Sequence, residues 1–154
     1  MPNTYSQVYI QIVFAVKGRR HFITGLMREG LQRFITGIIQ QKKQKLMALY
    51  CMPDHVHVFV SIHPSITISD LVRDIKANST LWIKSNFRQM QDFSWQEGFG
   101  AFSYAKSQVH QVVNYILKQP EHHKKTTFQQ EYIAFLKAFE VEYKDGYLFE
   151  FYLQ

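Results

Sequence analysis

Two histidines stand one residue apart in the run Met52-Pro53-Asp54-His55-Val56-His57-Val58-Phe59-Val60. The run is rich in β-branched residues and reads as a strand, on which successive side chains point to opposite faces. Val56, Val58, Val60 and Ile62 then share one face, and His55, His57, Phe59 and Ser61 the other. The valine face suits burial under helices, which leaves both imidazoles side by side on the opposite face. Neighbouring same-face positions let two rings converge on one metal ion. A buried imidazole needs a partner for each nitrogen, so pairing two of them without such a purpose is costly. From the pair alone, a metal site and an exposed face carrying two histidines both stay open.

A second set lies in Ser107-Gln108-Val109-His110-Gln111-Val112-Val113-Asn114-Tyr115-Ile116-Leu117-Lys118-Gln119-Pro120. The spacing predicts a helix capped by Ser107 and ended by Pro120, with Val109, Val112, Val113, Ile116 and Leu117 as its buried stripe. Tyr115 and Gln119, four apart, stack on one side at the edge of that stripe. On an isolated helix such a tyrosine is ordinary packing with its hydroxyl in water. Beside two histidines it gains a chemical use. A tyrosine hydroxyl can attack as a nucleophile, and a glutamine offers a neutral oxygen to a metal. Two imidazoles, an amide oxygen and phosphate oxygens would suit a hard divalent ion, Mg2+ or Mn2+. Phosphoryl transfer asks little more of a protein than a placed nucleophile and a cation on the phosphate.

The elements that must position these residues follow from periodicity. Val8–Val16 is a β-branched and aromatic strand, and Lys17-Gly18-Arg19-Arg20 a basic turn. Thr24 can cap a helix to about Lys43 with Leu31, Phe34, Ile35, Ile38 and Ile39 on one stripe. Lys45–Met52 is a second strand, turned by Pro53-Asp54 into the histidine strand. A helix from about Ile66 to Phe87, a short strand near Ala101–Tyr104, the tyrosine helix, a helix from about Thr127 to Phe139 and a terminal strand at Tyr147–Leu153 complete the chain. The order predicts an α+β fold: a ferredoxin-like βαββαβ antiparallel sheet with additional C-terminal helices, one of them carrying Tyr115. All 154 residues fit one domain, with no repeat, low-complexity tract or linker to divide them.

Charge is uneven. Residues 17–45 hold eight basic side chains against the single acid Glu29, whereas residues 46–120 hold six against five. The net charge of +6 therefore arises in the first third, a field suited to a polyanion, although a charged run is also the usual dress of a solvated helix. The lone cysteine, Cys51, lies in an apolar run and reads as an inert buried thiol. No apolar run approaches the ~18 residues of a membrane span. The opening Met1-Pro2-Asn3-Thr4 lacks a signal-peptide pattern, so the expectation is a cytoplasmic protein.

The Pro53-Asp54-His55-Val56-His57 strand resembles the HUH motif, histidine–bulky apolar residue–histidine. With Tyr115 four residues before Gln119, the chain resembles the single-tyrosine HUH transposases of bacterial insertion sequences, to which REP-associated tyrosine transposases are related. The likeness extends over Tyr5–Lys17, the Ser69–Ser79 helix, Trp95–Tyr104 and Tyr115–Lys125. It implies that Tyr115 attacks a single-stranded DNA phosphate to leave a 5′-phosphotyrosine link. It also implies that His55, His57 and Gln119 hold the divalent metal and that hairpins mark the element ends. The enzyme would work as a homodimer, with His55 and His57 of one subunit meeting Tyr115 of the other. The tyrosine helix follows a completed βαββαβ core and precedes a proline, so it need not pack on its own sheet.

For the DNA footprint the basic residues Lys17, Arg19 and Arg20 come first, then Arg73 and Lys76. The run His122-His123-Lys124-Lys125 behind the tyrosine helix reads either as a phosphate contact or as a solvated turn. Asp54 either orients a histidine or caps the Pro-Asp turn. His21, His63 and His110 read as surface or capping residues. Histidine-triad hydrolases need a third histidine where this chain has Phe59. A non-catalytic ferredoxin-like nucleic-acid-binding module would share the βαββαβ order but leave the histidine and tyrosine–glutamine pairs without a use. A domesticated relative acting on chromosomal palindromes would keep the same chemistry.

Overall fold

The structure is a computed structural model that describes residues 3–144. Four strands form one antiparallel sheet: β1 (Tyr9–Ala15), β2 (Lys45–Cys51), β3 (His55–Ser61) and β4 (Gly100–Tyr104), in the order β2-β3-β1-β4. Two helices, α1 (Gly25–Gln41) and α2 (Ile68–Asn86), make the crossovers. The order and pairing are those of the ferredoxin-like βαββαβ unit expected from the sequence. Three helices follow: α3 (Val109–Leu117), α4 (Gln119–His122) and α5 (Phe128–Ala138). The terminal strand expected at Tyr147–Leu153 lies outside the described residues.

The period-two pattern sorts the sheet into two faces. Ile10, Ile12 and Phe14 of β1 and Val56, Val58 and Val60 of β3 join Met27, Leu31 and Ile35 of α1 and Leu71 and Ile75 of α2 in the main core. In β2 the register slips between Leu46 and Ala48, a bulge that turns Leu49 and Cys51 onto this same face. The opposite face carries Gln11, Val13 and Ala15 of β1, His55, His57 and Phe59 of β3, and Phe102 of β4. Pairing sets Val13 against His57 and Ala15 against His55, so the histidines lie at the centre of the sheet with β1 on one side and β2 on the other.

That second face is roofed. On α3, Val112 and Ile116 bury against Ala48 and Phe59, while α5 lays Phe128, Tyr132 and Leu136 over Val13, Ala15 and Phe102. Thr127 starts α5 with a reciprocal cap, its hydroxyl accepting from the Gln130 backbone N–H and the Gln130 side chain accepting from its own. Gly100 permits the close approach. A Cβ there would stand 2.7 Å from the Tyr132 hydroxyl.

The tyrosine helix differs from its expected outline. A 3-10 turn at Lys106–Gln108 leads into α3, with Gln108 Oε1 accepting from the Ala105 N–H at 2.9 Å, so Ser107 does not cap it. The helix breaks at Lys118 (φ −101°, ψ 19°) rather than running to Pro120. A proline ring inside a helix collides with the carbonyl four residues back, whereas in a first turn its missing N–H costs nothing. Pro120 accordingly opens α4, and the chain bends at the residue before Gln119.

Candidate active site

Position on β3 alone would leave His55 and His57 facing the roof in any ring orientation, and their neighbours fix which nitrogen is protonated. Asp54 Oδ1 accepts from His55 Nδ1 at 2.7 Å, so Asp54 orients a histidine. Gln11 donates its amide to the Tyr104 hydroxyl at 2.9 Å, which turns Gln11 Oε1 toward His57 to accept from Nδ1 at 2.7 Å. A third imidazole arrives from the end of α4: His123 Nδ1 donates to the Thr126 carbonyl at 2.8 Å. With the proton of each neutral ring held on Nδ1, all three Nε2 atoms present lone pairs.

Those lone pairs converge on one carboxylate. Glu131 of α5 is only 3% exposed, and its Oε1 lies 3.1 Å from His57 Nε2, 3.3 Å from His123 Nε2 and 3.8 Å from His55 Nε2. Gln119 donates its amide to Glu131 Oε2 at 3.1 Å, so its own oxygen faces inward, 2.8 Å from His123 Nε2 and 3.4 Å from His55 Nε2. One ligand atom from each of His55, His57, His123 and Glu131 lies within 4.8 Å of the others. Five acceptors so arranged repel one another unless protons or a cation stand between them. Three imidazole nitrogens, a carboxylate and an amide oxygen form a donor set that fits a divalent metal.

Burial and charge act oppositely on these groups. Burial pushes the His55 pKa down to about 4, against the hydrogen bond it donates to Asp54, and so keeps this ring neutral and free to ligate. Burial also works against a charged His123, but the hydrogen bond and charge of Glu131 prevail and leave its pKa raised. Burial would raise Glu131 as well, yet its bonds to His123 and His57 hold it well below the usual carboxylate range. Phe128 stacks on the His55 ring at 4.0 Å and 12°, closing that side.

Tyr115 reaches the same carboxylate from α3. Its hydroxyl donates to Glu131 Oε2 and stands 3.2 Å from His122 Nε2, and its ring meets His57 edge-on at 6.0 Å. Burial, and then the charge of Glu131, raise the tyrosine pKa. The ring is half-buried and forms one wall of a cavity of about 480 Å³ shared with Gln111, Asn114, Lys118, Glu121, His122, Lys124 and Lys125. The cavity is open to solvent, and three lysines against one glutamate make it basic.

The structure brings His55, His57, Tyr115 and Gln119 close together. Val112 and Ile116 of α3 bury against Ala48 and Phe59, and the Tyr115 ring lies 6.0 Å from His57 of the same chain. His123, read from sequence as part of a phosphate-contact run, faces the cluster instead, and His122 flanks the tyrosine. Lys124 keeps an exposed position on the cavity rim. The basic turn Lys17–Arg19 borders the site, since the Val16 N–H donates to the Asp54 carbonyl at 2.9 Å. Arg20 follows it, its guanidinium 5.7 Å from the Phe22 ring centre. Arg73 and Lys76 sit on α2, behind the sheet. Arg73 pairs with Asp70 at 3.0 Å, and Lys76 donates to the Gln96 and Gly98 carbonyls at 2.8 and 2.6 Å. Lys76 therefore ties down the loop before β4.

Sequence reasoning missed Glu131 as a partner of the histidines. Its signal is a lone acid at helical spacing among Phe128, Tyr132, Phe135 and Leu136, on a stripe that is otherwise apolar. Gln11, alone and polar within Val8–Val16, carries the same kind of signal.

Fold and site together define a ferredoxin-like domain with a tyrosine beside a buried histidine–carboxylate cluster. A family model described as "Transposase IS200 like" matches residues 4–119. The ISDra2 transposase TnpA of Deinococcus radiodurans is 27% identical over 89 residues, 58% of this chain and 64% of its own length. The transposase of insertion sequence IS200 from Salmonella typhimurium is 26% identical over 80 residues, 52% of this chain and 53% of its own. The matched stretches thus span between about half and two thirds of these curated relatives. Among solved structures, a candidate transposase from Deinococcus radiodurans superposes with a TM-score of 0.63 at 23% identity, over 76% of this chain and 94% of its own. A REP-associated tyrosine transposase bound to a REP hairpin gives 0.60 at 18% identity, over 79% and 72%. Both share the fold. The chain belongs to the IS200-like transposase family. The family match includes His55, His57, Tyr115 and Gln119, while His123 and Glu131 lie beyond it. Among the described residues no helix is long and apolar enough to cross a membrane.

Proposed function

We propose that this protein cleaves and rejoins single-stranded DNA at hairpin-marked ends, through a 5′-phosphotyrosine intermediate on Tyr115. The observation that carries the reading is the convergence of three Nε2 lone pairs and one carboxylate oxygen, with the tyrosine hydroxyl on that carboxylate's other oxygen. His55, His57, His123 and Glu131 would hold a divalent ion, with Gln119 Oε1 beside them. Three imidazoles favour Mn2+ over Mg2+, which prefers an all-oxygen shell. When bound, the ion supplies positive charge to the non-bridging oxygens of the scissile phosphate.

The remaining steps belong to the chain. The scissile phosphate enters through the basic cavity beside Tyr115, where Lys118, Lys124 and Lys125 offset its charge. The tyrosine oxygen forms a bond to phosphorus as the bond to the 3′ oxygen breaks. The hydroxyl gives up its proton and the departing 3′ oxygen takes one up, so the exchange is balanced. A second 3′-hydroxyl reverses the step on another strand, and the ester keeps the bond energy throughout, so no nucleotide triphosphate is needed. The hairpin-bound neighbour supports a hairpin substrate, and family membership supports strand transfer. A relative acting on chromosomal palindromes would use the same site.

The test is a denaturing gel of end-labelled single-stranded DNA incubated with Mn2+ and protein. Wild type should yield a covalent adduct and Tyr115→Phe none, while hairpin binding by the variant stays close to wild type. An adduct that persists in Tyr115→Phe would place the nucleophile elsewhere.

A further inference from the structure

Glu131 is used twice. Oε1 faces the three histidine nitrogens, and Oε2 accepts from the Tyr115 hydroxyl and from the Gln119 amide. We infer that Glu131 is a positioning residue that couples ion binding to the nucleophile, one carboxylate oxygen ligating the ion while the other holds the Tyr115 hydroxyl in place. The inference rests on the metal-assisted reading above and deepens it.

Three features support a coupling and not a mere neighbourhood. The carboxylate is nearly fully buried, so water does not compete for either oxygen, and hydrogen bonds to a desolvated charge are strong and directional. Its helix is fixed at the site by the Thr127–Gln130 cap and by Phe128 stacked on His55, so the carboxylate cannot follow one partner without moving against the other. Finally, the hydroxyl's other polar neighbours meet it at the same carboxylate: His122 Nε2 lies 3.4 Å from Glu131 Oε2, and Gln119 donates its amide to that oxygen at 3.1 Å. A group that orients a metal-bound carboxylate from behind contributes to metal affinity, by about 10–100-fold where such partners have been removed. Linkage makes the effect reciprocal. If the hydroxyl steadies the ligand, the ion must steady the hydroxyl by the same free energy.

The experiment uses Mn2+ alone, without DNA, titrated calorimetrically into wild type, Tyr115→Phe, Glu131→Gln and the double variant. Glutamine keeps the volume of Glu131 but exchanges one acceptor oxygen for an NH2 group, so the ion and the hydroxyl proton no longer have a carboxylate oxygen each. Tyr115→Phe should weaken Mn2+ binding by about tenfold in the wild-type background. In the Glu131→Gln background the same change should move it by less than about twofold, since the coupled pair is already broken. Equal effects in the two backgrounds, or no effect in either, overturn the coupling. Should Glu131→Gln lose its fold or its Mn2+ binding, Glu131→Asp replaces it, being too short to span both partners. A second readout needs no change at Glu131. In protein labelled with 13C at tyrosine Cζ, the Tyr115 resonance, assigned by its loss in Tyr115→Phe, should shift when Mg2+ or Zn2+ saturates the histidines. A fixed tyrosine resonance while the histidine resonances move would also overturn it. Wild type that binds no Mn2+ would remove the metal reading itself, an outcome distinct from binding without coupling.

Discussion

The two faces of the sheet carry opposite chemistry on alternate residues of the same strands. Against α1 and α2, β3 presents Val56, Val58 and Val60 to a continuous aliphatic layer. Against α3 and α5 it presents His55, His57 and Phe59, and with them the buried polar residues Gln11, Gln119 and Glu131 gather on this side. Burying such groups costs stability unless every one is bonded; here each imidazole Nδ1 has its acceptor, while the Nε2 atoms and the Glu131 and Gln119 oxygens await a proton or a cation between them. One face therefore holds the molecule together and the other is held by it. Because the strand alternates, neither face can shift in register without destroying both.

The sharpest way to separate the faces is His57→Ala. It should reduce Mn2+ binding and DNA cleavage to background, while a chelator reduces wild type to the same level. Residual Mn2+-dependent cleavage in the variant would show that the ion sits elsewhere. Mixing His57→Ala with Tyr115→Phe protein asks whether the working site is the intramolecular one. With all ligands and the tyrosine drawn from one chain, the mixture should stay inactive after proven subunit exchange. Recovery of activity would mean that α3 leaves its own sheet to serve a partner.

On the other face, Ile35→Ala should lower unfolding free energy by about 2–5 kcal/mol in urea titration and leave Mn2+ affinity at pH 7 unchanged. Altered affinity in folded protein would show that the two faces are mechanically linked. The smallest effect is expected at the cavity rim. Lys118→Ala with Lys124→Ala should weaken single-stranded DNA binding a few-fold and flatten its salt dependence, by roughly 0.7 in the logarithmic slope for each phosphate no longer neutralised. An unchanged slope would move the strand to the Lys17–Arg20 side of the site.

What the sequence made legible is what local geometry dictates. Two histidines at i and i+2 of a strand must share a face, and the valines between them declare the other face as core. The βαββαβ order and the helix bearing Tyr115 followed from periodicity in the same way. Glu131 and His123 were harder because no local rule ties them to His57, 74 and 66 residues away. Their place is set by the bend at Lys118 that leads into α4 and by how closely α5 settles over Gly100. Likewise Arg73 and Lys76 are as basic as any residue of the turn after β1, and only the fold puts them behind the sheet and ties Lys76 to two carbonyls.

The position of α5 in the chain has a consequence for the order of synthesis. Among the described residues all four strands are complete by Tyr104, and the helix bearing Tyr115 is complete by Leu117. The carboxylate on which the three imidazoles and the tyrosine depend emerges only with residue 131, on the last helix of the described chain. A nascent polypeptide leaving the ribosome therefore owns these four strands before it owns the means of closing the site. A chain interrupted between the two points carries the histidines and the tyrosine but lacks the carboxylate that meets them.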